Sequence, residues 1–122
     1  MQVKKVQRKP VRRVAVVRSL AEVRALLGDA PEGPVVLVST PDAAATLGVG
    51  FFWALVEEAR AAYPALRVDA VMDCGDAPGY ALAALRMGFR TIVLRGDPRA
   101  RARVAAIARA MGARLLARPP RR

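Results

Sequence analysis

Histidine is absent from this 122-residue chain, and its absence removes most of the common catalytic machinery. No Ser-His-Asp or Cys-His arrangement can form, and no imidazole is present to bind a metal or to transfer a proton near neutral pH. The remaining titratable groups suited to such chemistry are carboxylates. An enzymatic function would therefore have to use a pair of acidic side chains, alone or with a hard cation such as Mg²⁺.

Cysteine occurs once, at Cys74, so neither an intramolecular disulfide nor a Cys-x-x-Cys metal or redox pair is possible. No segment approaches the roughly 18 consecutive apolar residues that suggest a membrane span. The basic N-terminus is not followed by the apolar region of a signal peptide. We therefore expect a cytoplasmic protein without a membrane partner, and the sequence indicates no metal site and no cofactor.

Charge is distributed unevenly along the chain. Residues 1–18 contain seven basic and no acidic side chains, residues 19–94 five basic and nine acidic, and residues 95–122 nine basic and one acidic, within a net charge of +11. Strongly basic ends favour contact with phosphates or acidic surfaces. The alternative is compositional, because 18 arginines against three lysines in an alanine-rich chain are also typical of a GC-rich genome.

Short apolar segments alternate with longer segments rich in helix-forming residues. The strand-like segments cover residues 11–17, 34–40, 68–73, 90–95 and 113–117. Several of them are apolar on consecutive positions, as is typical of strands that are buried on both faces. The helical segments cover residues 19–28, 42–63, 78–88 and 98–111.

This βαβαβαβαβ order predicts a single α/β domain over residues 11–117. The expected architecture is a three-layer fold, flavodoxin-like or Rossmann-like, with a five-stranded, mainly parallel sheet and helices on both faces. Residues 1–10 and 118–122 are predicted to be basic extensions at the two ends. The order of the strands is left open by the sequence.

Residues typical of helix ends stand at the predicted boundaries. Ser19 and Glu22 form a capping box after the first strand. Thr40 and Asp97 each precede a proline suited to the first helical turn, and are therefore predicted to cap the helices that follow. Glycines suited to a left-handed helix end follow three helical segments, at Gly28, Gly88 and Gly112.

Three consecutive aromatics, Phe51, Phe52 and Trp53, fall within the second helical segment. At about 100° per residue they spread over about 200° of a helix, which is too wide for one core-facing stripe. The segment 80–87 is apolar nearly all round, with Arg86 as its one charged side chain. Both features predict a homo-oligomer. The alternative is that exposed alanine is tolerated and Trp53 merely closes the core.

Polar side chains collect after the carboxyl ends of the predicted strands, where open parallel α/β sheets bind ligands at a reversal of the strand order. Among these residues, which include Asp42, we select as ligand-binding candidates Ser39, Thr40, Asp73, Asp76, Arg95 and Arg99. Helix capping alone, worth about 1 kcal/mol for each residue, is sufficient to explain Ser19, Thr40 and Asp97.

Asp73 and Asp76 are the catalytic candidates, because two carboxylates in different environments can act as acid and base. Asp73 ends a buried strand and has no helix of its own to cap, whereas Asp76 can cap the helix that begins near Pro78. Cys74 lies beside both carboxylates, which disfavour its thiolate, and it lacks an activating neighbour. We therefore expect the thiol to be inert.

Arginines recur at positions 95, 99, 101 and 103, around a predicted strand-to-helix turn. Arginine in the first turn of a helix opposes the macrodipole, which favours anions there by about 0.3–1 kcal/mol. The stretch GDPRAR is thus predicted to receive a phosphate on backbone N–H groups and guanidinium forks. Neither G-x-G-x-x-G nor a P-loop occurs. Replacing Arg95 and Arg99 together is expected to abolish binding without loss of stability.

The segment from IVLRGDP to GARLLARPP resembles the last third of response-regulator receiver domains, with Asp73 where their phosphoacceptor ends the third strand. The resemblance favours a flavodoxin-like strand order. The chain departs from the family pattern at three places. Arg18-Ser19 replaces the acidic pair after the first strand, Arg95 replaces the switch Ser or Thr after the fourth strand, and Arg118 replaces the Lys before the final proline. Without the acids that hold Mg²⁺, phosphotransfer at Asp73 is not expected.

Three hypotheses of function follow. The first is a small self-associating α/β domain that binds an anionic, phosphate-bearing ligand or partner at the carboxyl edge of the sheet. The second is a small lyase, isomerase or hydrolase, metal-independent or Mg²⁺-dependent, that uses Asp73 and Asp76. The third is nucleic-acid binding through the basic ends, which the aromatic content of 5% and the lack of a known reader module disfavour.

Overall fold

Strands and helices follow one another along residues 12–29 and 31–121, the parts of the chain that this computed structural model describes. In chain order they are β1 (Arg13–Val16), α1 (Leu20–Leu27), β2 (Val35–Val38), α2 (Ala43–Thr46), α3 (Val49–Ala62), β3 (Val68–Asp73), α4 (Pro78–Met87), β4 (Thr91–Val93), α5 (Pro98–Ala110) and β5 (Arg114–Leu116). The predicted N-terminal extension, residues 1–10, lies outside the described residues.

All five strands are parallel and form one sheet, which confirms the predicted α/β class. The strands lie side by side in chain order, β1-β2-β3-β4-β5. This order differs from the flavodoxin-like order 2-1-3-4-5 that the receiver-domain resemblance favoured. The central strand β3 pairs with β2 from Val68 to Val71 and with β4 from Val71 to Asp73.

The two faces of the sheet are buried by different residues. Every buried apolar residue of the five described helices belongs to one core cluster, together with strand residues such as Leu37, Met72 and Ile92. The buried members of the second cluster are strand valines alone, Val36, Val38, Val71 and Val93. Right-handed crossovers between sequentially ordered strands all pass on the same side of a sheet. The described helices therefore cover one face, although the sequence led us to expect helices on both.

Several predicted helix ends are confirmed. Ser19 caps α1, since its Oγ accepts a hydrogen bond from the backbone N–H of Glu22 at 3.1 Å. The Glu22 carboxylate does not complete a capping box but accepts from Nε of Arg18 at 3.3 Å. Asp97 caps α5 by accepting from the backbone N–H of Arg99 at 3.3 Å. Positive φ angles mark the three predicted C-terminal glycines, Gly28, Gly88 and Gly112.

The helix predicted over residues 42–63 is in fact two helices, α2 and α3. They are separated at Gly48, whose φ of +95° interrupts the helical backbone. The predicted cap at Thr40 is wrong, because the chain forms a turn before α2 in which the Thr40 carbonyl accepts the Ala43 N–H at 3.1 Å. Asp42 then precedes the helix in the left-handed conformation, with φ at 57°.

The three consecutive aromatics of α3 face different surroundings, as their spread around the helix predicted. Phe52 is fully buried and stacks on Phe89, with ring centroids 6.0 Å apart. Trp53 packs edge-on against the same Phe89 ring at 5.0 Å. Phe51 is 54% exposed, so at least one large aromatic side chain does not contribute to the core.

Helix length bears on whether the chain could enter a membrane. The longest helix in the described part of the chain, α3, has 14 residues, against about 20 needed to cross a bilayer. None of the described helices combines the length and the apolar character of a membrane span.

Candidate functional site

Three loops, those after β2, β3 and β4, surround a depression at the carboxyl edge of the sheet. Open parallel sheets usually bind ligands in a crevice where the strand order reverses. The described sheet has no such reversal, so this depression is formed by the loops. Its volume is about 460 Å³, and its lining residues are Asp42, Ala45, Cys74, Gly75, Asp76, Ala77, Arg95 and Gly96. We call this site the carboxyl-edge depression. Of the six ligand-binding candidates, two line it: Asp76 and Arg95.

Asp73, the last residue of β3, is completely buried next to this depression. Its Oδ1 accepts hydrogen bonds from the backbone N–H groups of Asp42 at 3.2 Å and Gly75 at 2.9 Å, and from Nη2 of Arg95 at 3.0 Å. Its Oδ2 lies 3.5 Å from Nη1 of Arg95. A buried charge requires such compensation. One carboxylate thereby joins all three loops of the depression.

Arg95 is held by acidic groups and still reaches solvent. Besides its contacts with Asp73, its Nη2 lies 3.5 Å from Oδ1 of Asp42, and its side chain is 40% exposed. Without Arg95, the buried Asp73 carboxylate would lose its ion-pair partner. Loss of Arg95 is thus expected to lower stability, contrary to the expectation from sequence.

Ser39 and Thr40 contribute to the loops and do not line the depression. The buried Ser39 accepts the backbone N–H of Asp73 on its Oγ at 2.8 Å and donates to the Thr40 carbonyl at 3.4 Å. This hydroxyl joins the end of β2 to the end of β3. The structure thus places both residues at the predicted edge, with Ser39 buried and Thr40 partly exposed outside the lining of the depression.

Asp76 and Asp42 bring two exposed carboxylates to the rim of the depression. Helix α4 has Ala77 at its N-cap position without a side-chain hydrogen bond, so Asp76 does not act as the cap that the sequence suggested. Sequence reasoning placed Asp42 at this edge but did not select it. The available signal was its position in the same strand-to-helix connection as Ser39 and Thr40.

Two glycines allow the loops to approach one another. Gly75 has φ at +60°, and a Cβ atom at this position would overlap Oδ1 of Asp42. A Cβ at Gly96, where φ is +99°, would lie 3.1 Å from the Cβ of Asp76. The narrow spacing of the three loops therefore depends on the absence of side chains at these positions.

The arginines after Arg95 have other roles. Arg99 is exposed and does not line the depression, and its backbone N–H is the group capped by Asp97. Arg101 donates its Nε to the carbonyl of Leu94 at 2.7 Å, which joins α5 to the end of β4. Gly96 of the predicted phosphate-receiving turn, GDPRAR, thus lines the depression. The arginines of that turn, Arg99 and Arg101, do not line it.

Cys74 is buried beneath the depression, at 2% exposure. Its burial, and secondly the charge of Asp73, raise the pKa of the thiol to about 12. Because the thiolate is the reactive form, a thiol that keeps its proton at neutral pH is a poor nucleophile. This agrees with the expectation that Cys74 is inert.

The depression therefore combines donors and acceptors of opposite charge. Arg95 has five N–H donors, more than its contacts with Asp73 and Asp42 use. The exposed carboxylates of Asp42 and Asp76 can accept hydrogen bonds from the hydroxyl or amino groups of a ligand. Within residues 12–29 and 31–121, no three His, Cys, Asp or Glu side chains form a group that could hold a metal ion.

The chain matches no protein-family model, and no curated protein matches its sequence.

Proposed function

We propose that this protein is a small self-associating α/β domain that binds a phosphate-bearing ligand at the carboxyl-edge depression. The arrangement of Arg95 carries the proposal, because its guanidinium is paired with the buried Asp73 while 40% of the side chain stays exposed at the depression. A guanidinium that is already oriented loses less conformational freedom when it binds a phosphate in a bidentate manner.

The two exposed carboxylates narrow the class of ligand. Asp42 and Asp76 would repel a bare phosphate, whereas the hydroxyl groups of a larger ligand would donate hydrogen bonds to them. A phosphorylated polyol, such as a sugar phosphate, suits both parts of the site. The volume of about 460 Å³ lies within the range of roughly 300–1,000 Å³ typical of small-molecule pockets.

Isothermal titration calorimetry of the full chain with ribose 5-phosphate and with inorganic phosphate tests this function. We expect ribose 5-phosphate to bind more tightly. Arg95→Lys keeps a positive charge beside Asp73 but loses the planar fork, and is expected to weaken ribose 5-phosphate binding by roughly tenfold. Asp76→Asn is expected to weaken ribose 5-phosphate binding without weakening that of inorganic phosphate, since it replaces one carboxylate oxygen by an NH2 donor, weakens the acceptor that remains for a hydroxyl group and removes a negative charge.

Arg103→Lys is the matched control, because Arg103 is exposed on α5 and does not line the depression. Circular dichroism and thermal denaturation establish that each variant is folded. Ribose 5-phosphate that binds no more tightly than inorganic phosphate would reject the proposed site. Equal affinities in the wild type and Arg95→Lys would reject it as well.

Self-association is supported by a group of exposed apolar side chains on α3 and α4. Phe51 and Met87 are 54% and 42% exposed, and a Cβ at Gly50 would lie 3.9 Å from Cε of Met87. Tyr80, 43% exposed, lies two helical turns before Met87 on the same side of α4. Large apolar side chains exposed together on neighbouring helices are typical of interaction surfaces, and a second copy of this chain would bury them.

Proton transfer by Asp73 and Asp76 is less well supported. Donor groups engage both oxygens of Asp73, which is completely buried. Asp76 alone would then be free to exchange a proton with a ligand in the depression, whereas acid–base catalysis through this pair requires two accessible groups.

A further inference from the structure

A larger cavity begins at the opposite, amino edge of the sheet and extends along the face that carries Val36, Val71 and Leu116. Its volume is about 720 Å³, and the described residues that line it include six arginines and one acidic residue, Asp69. The arginines are Arg12, Arg60, Arg67, Arg90, Arg114 and Arg118. We call this site the amino-edge cavity. It shares no lining residue with the carboxyl-edge depression and is independent of the function proposed for that site.

The fold brings these arginines together from distant parts of the chain. Arg12 precedes β1, Arg67 precedes β3, Arg90 precedes β4, and Arg114 is the first residue of β5. Because the strands are parallel and adjacent, their starts lie along one edge of the sheet. Arginine at the start of four strands is therefore a sequence signal for a basic edge. This basic edge was not predicted, because the candidate residues were selected at the carboxyl ends of the strands.

Two of the six arginines already have partners. Arg60 donates its Nε and Nη2 to the Val68 carbonyl and pairs with Glu57 at 3.1 Å. Arg67 pairs with Asp69 at 3.2 Å. The other four, Arg12, Arg90, Arg114 and Arg118, form no salt bridge with an acidic side chain among the described residues. Within that part of the chain, four guanidinium groups that no carboxylate neutralises thus line one cavity.

We propose that the amino-edge cavity binds a compact polyphosphate, a ligand in which adjacent phosphate groups concentrate about three to five negative charges. Neighbouring arginines repel one another, and such a ligand replaces the repulsion with charge-assisted hydrogen bonds. Each guanidinium fork can hold two phosphate oxygens. A volume of about 720 Å³ is sufficient for a small ligand of this type.

The aromatic residues of the cavity favour a compact ligand over a strand of nucleic acid. Single-stranded nucleic acids bind along grooves in which bases stack on open aromatic faces. Here Trp53 and Phe89 pack edge-to-face at 5.0 Å, and Phe89 is only 2% exposed. The guanidinium of Arg60 lies over the Trp53 ring, 5.9 Å from its centroid. The two rings therefore pack against protein groups instead of forming a stacking platform.

Trp53 allows binding to be measured directly, because it lines the cavity and is the single tryptophan of the chain. Titration of the full chain with sodium tripolyphosphate is expected to change its fluorescence saturably, with an affinity that falls as salt is added. Arg90→Gln and Arg114→Gln are each expected to weaken tripolyphosphate binding by roughly tenfold. Arg103→Gln, at an exposed arginine outside the cavity, is the matched control and should leave the affinity unchanged.

The failure of this proposal can be distinguished from failure of the sugar-phosphate proposal. Arg95→Lys should not change the affinity for tripolyphosphate, and Arg114→Gln should not change the affinity for ribose 5-phosphate. An unchanged tripolyphosphate affinity in the Arg90→Gln, Arg114→Gln double variant would overturn the proposal for the cavity. Tighter binding of a short single-stranded oligonucleotide than of tripolyphosphate, at equal salt, would also overturn it.

Discussion

The Oδ1 atom of the fully buried Asp73 lies 3.0 Å from Nη2 of Arg95, whose side chain is 40% exposed. The pair joins the end of β3 to the residues that follow β4. Because one partner is buried and the other reaches solvent, the same contact stabilises the loops and orients a guanidinium at the carboxyl-edge depression. The stability of this edge and its proposed function therefore depend on one ion pair.

Asp73→Asn measures the structural part of that contact. Asparagine keeps the shape of the side chain but removes its charge, and its amide group turns one acceptor into a donor facing other donors. We expect the free energy of unfolding to fall by roughly 1–3 kcal/mol, less than for a fully buried pair because Arg95 is partly solvated. Urea denaturation measures this change. A double-mutant cycle with Arg95→Met isolates the pair, and additive effects in that cycle would show that the two side chains are not coupled.

Gly75→Ala tests the close approach of the loops. Gly75 and Gly112 have φ angles of +60° and +74°, but a Cβ at Gly75 would overlap the Asp42 carboxylate, whereas a Cβ at Gly112 would lie 3.3 Å from Nη1 at the end of the flexible Arg90 side chain. Each alanine should cost about 1 kcal/mol for the positive φ alone. Gly75→Ala is expected to lower the unfolding free energy further than Gly112→Ala. Equal losses in urea denaturation would contradict the loop geometry.

Cys74 makes stability sensitive to alkaline pH. Its burial, with the charge of Asp73, raises the thiol pKa to about 12 in the folded protein from an ordinary value of 9.0. The folded state therefore keeps the proton more firmly than the unfolded state, so this contribution is complete below pH 9 and is lost as the pH rises toward 12. Urea midpoints above pH 9 should fall more steeply for the wild type than for Cys74→Ala. Parallel pH profiles would show that the thiol does not contribute.

Phe51→Ser tests self-association through α3 and α4. Sedimentation equilibrium should show concentration-dependent association of the wild type, weakened roughly tenfold or more by the loss of a large exposed aromatic. Ile107→Ser is the matched control, because Ile107 is 42% exposed on α5 and lies outside the group formed by Phe51, Tyr80 and Met87. A wild type that remains monomeric at every concentration would reject the homo-oligomer.

The elements of the fold could be predicted because their signals are local. Apolar runs mark the five strands, and Ser19 and Asp97 cap helices as expected. The order of the strands could not be predicted in this way, because pairing depends on contacts between segments far apart in the chain. The one-sided placement of the helices follows from that order and was missed for the same reason. The break at Gly48 was missed because the residues of α2 and α3, on its two sides, both have a helical composition.

The candidate site was predicted in part. Asp73, Asp76 and Arg95 were found because the ends of parallel strands lie on one edge. The sequence could not show that Ser39 would turn its hydroxyl to the Asp73 backbone, or that Asp42 would donate its N–H to the Asp73 carboxylate, across 34 and 31 residues. The arginines of the amino-edge cavity were overlooked because they are spread along the chain from residue 12 to residue 118.

The sequential order of the strands makes this domain a row of similar modules. Within the described sheet each strand pairs with the strands before and after it in the chain, and the helices follow suit, α1 against α3, α3 against α4 and α4 against α5. Support therefore comes mainly from adjacent modules, as in solenoid proteins. Because β5 is an edge strand of the described sheet, a helix–strand module could be added or removed there without changing the order of the other strands.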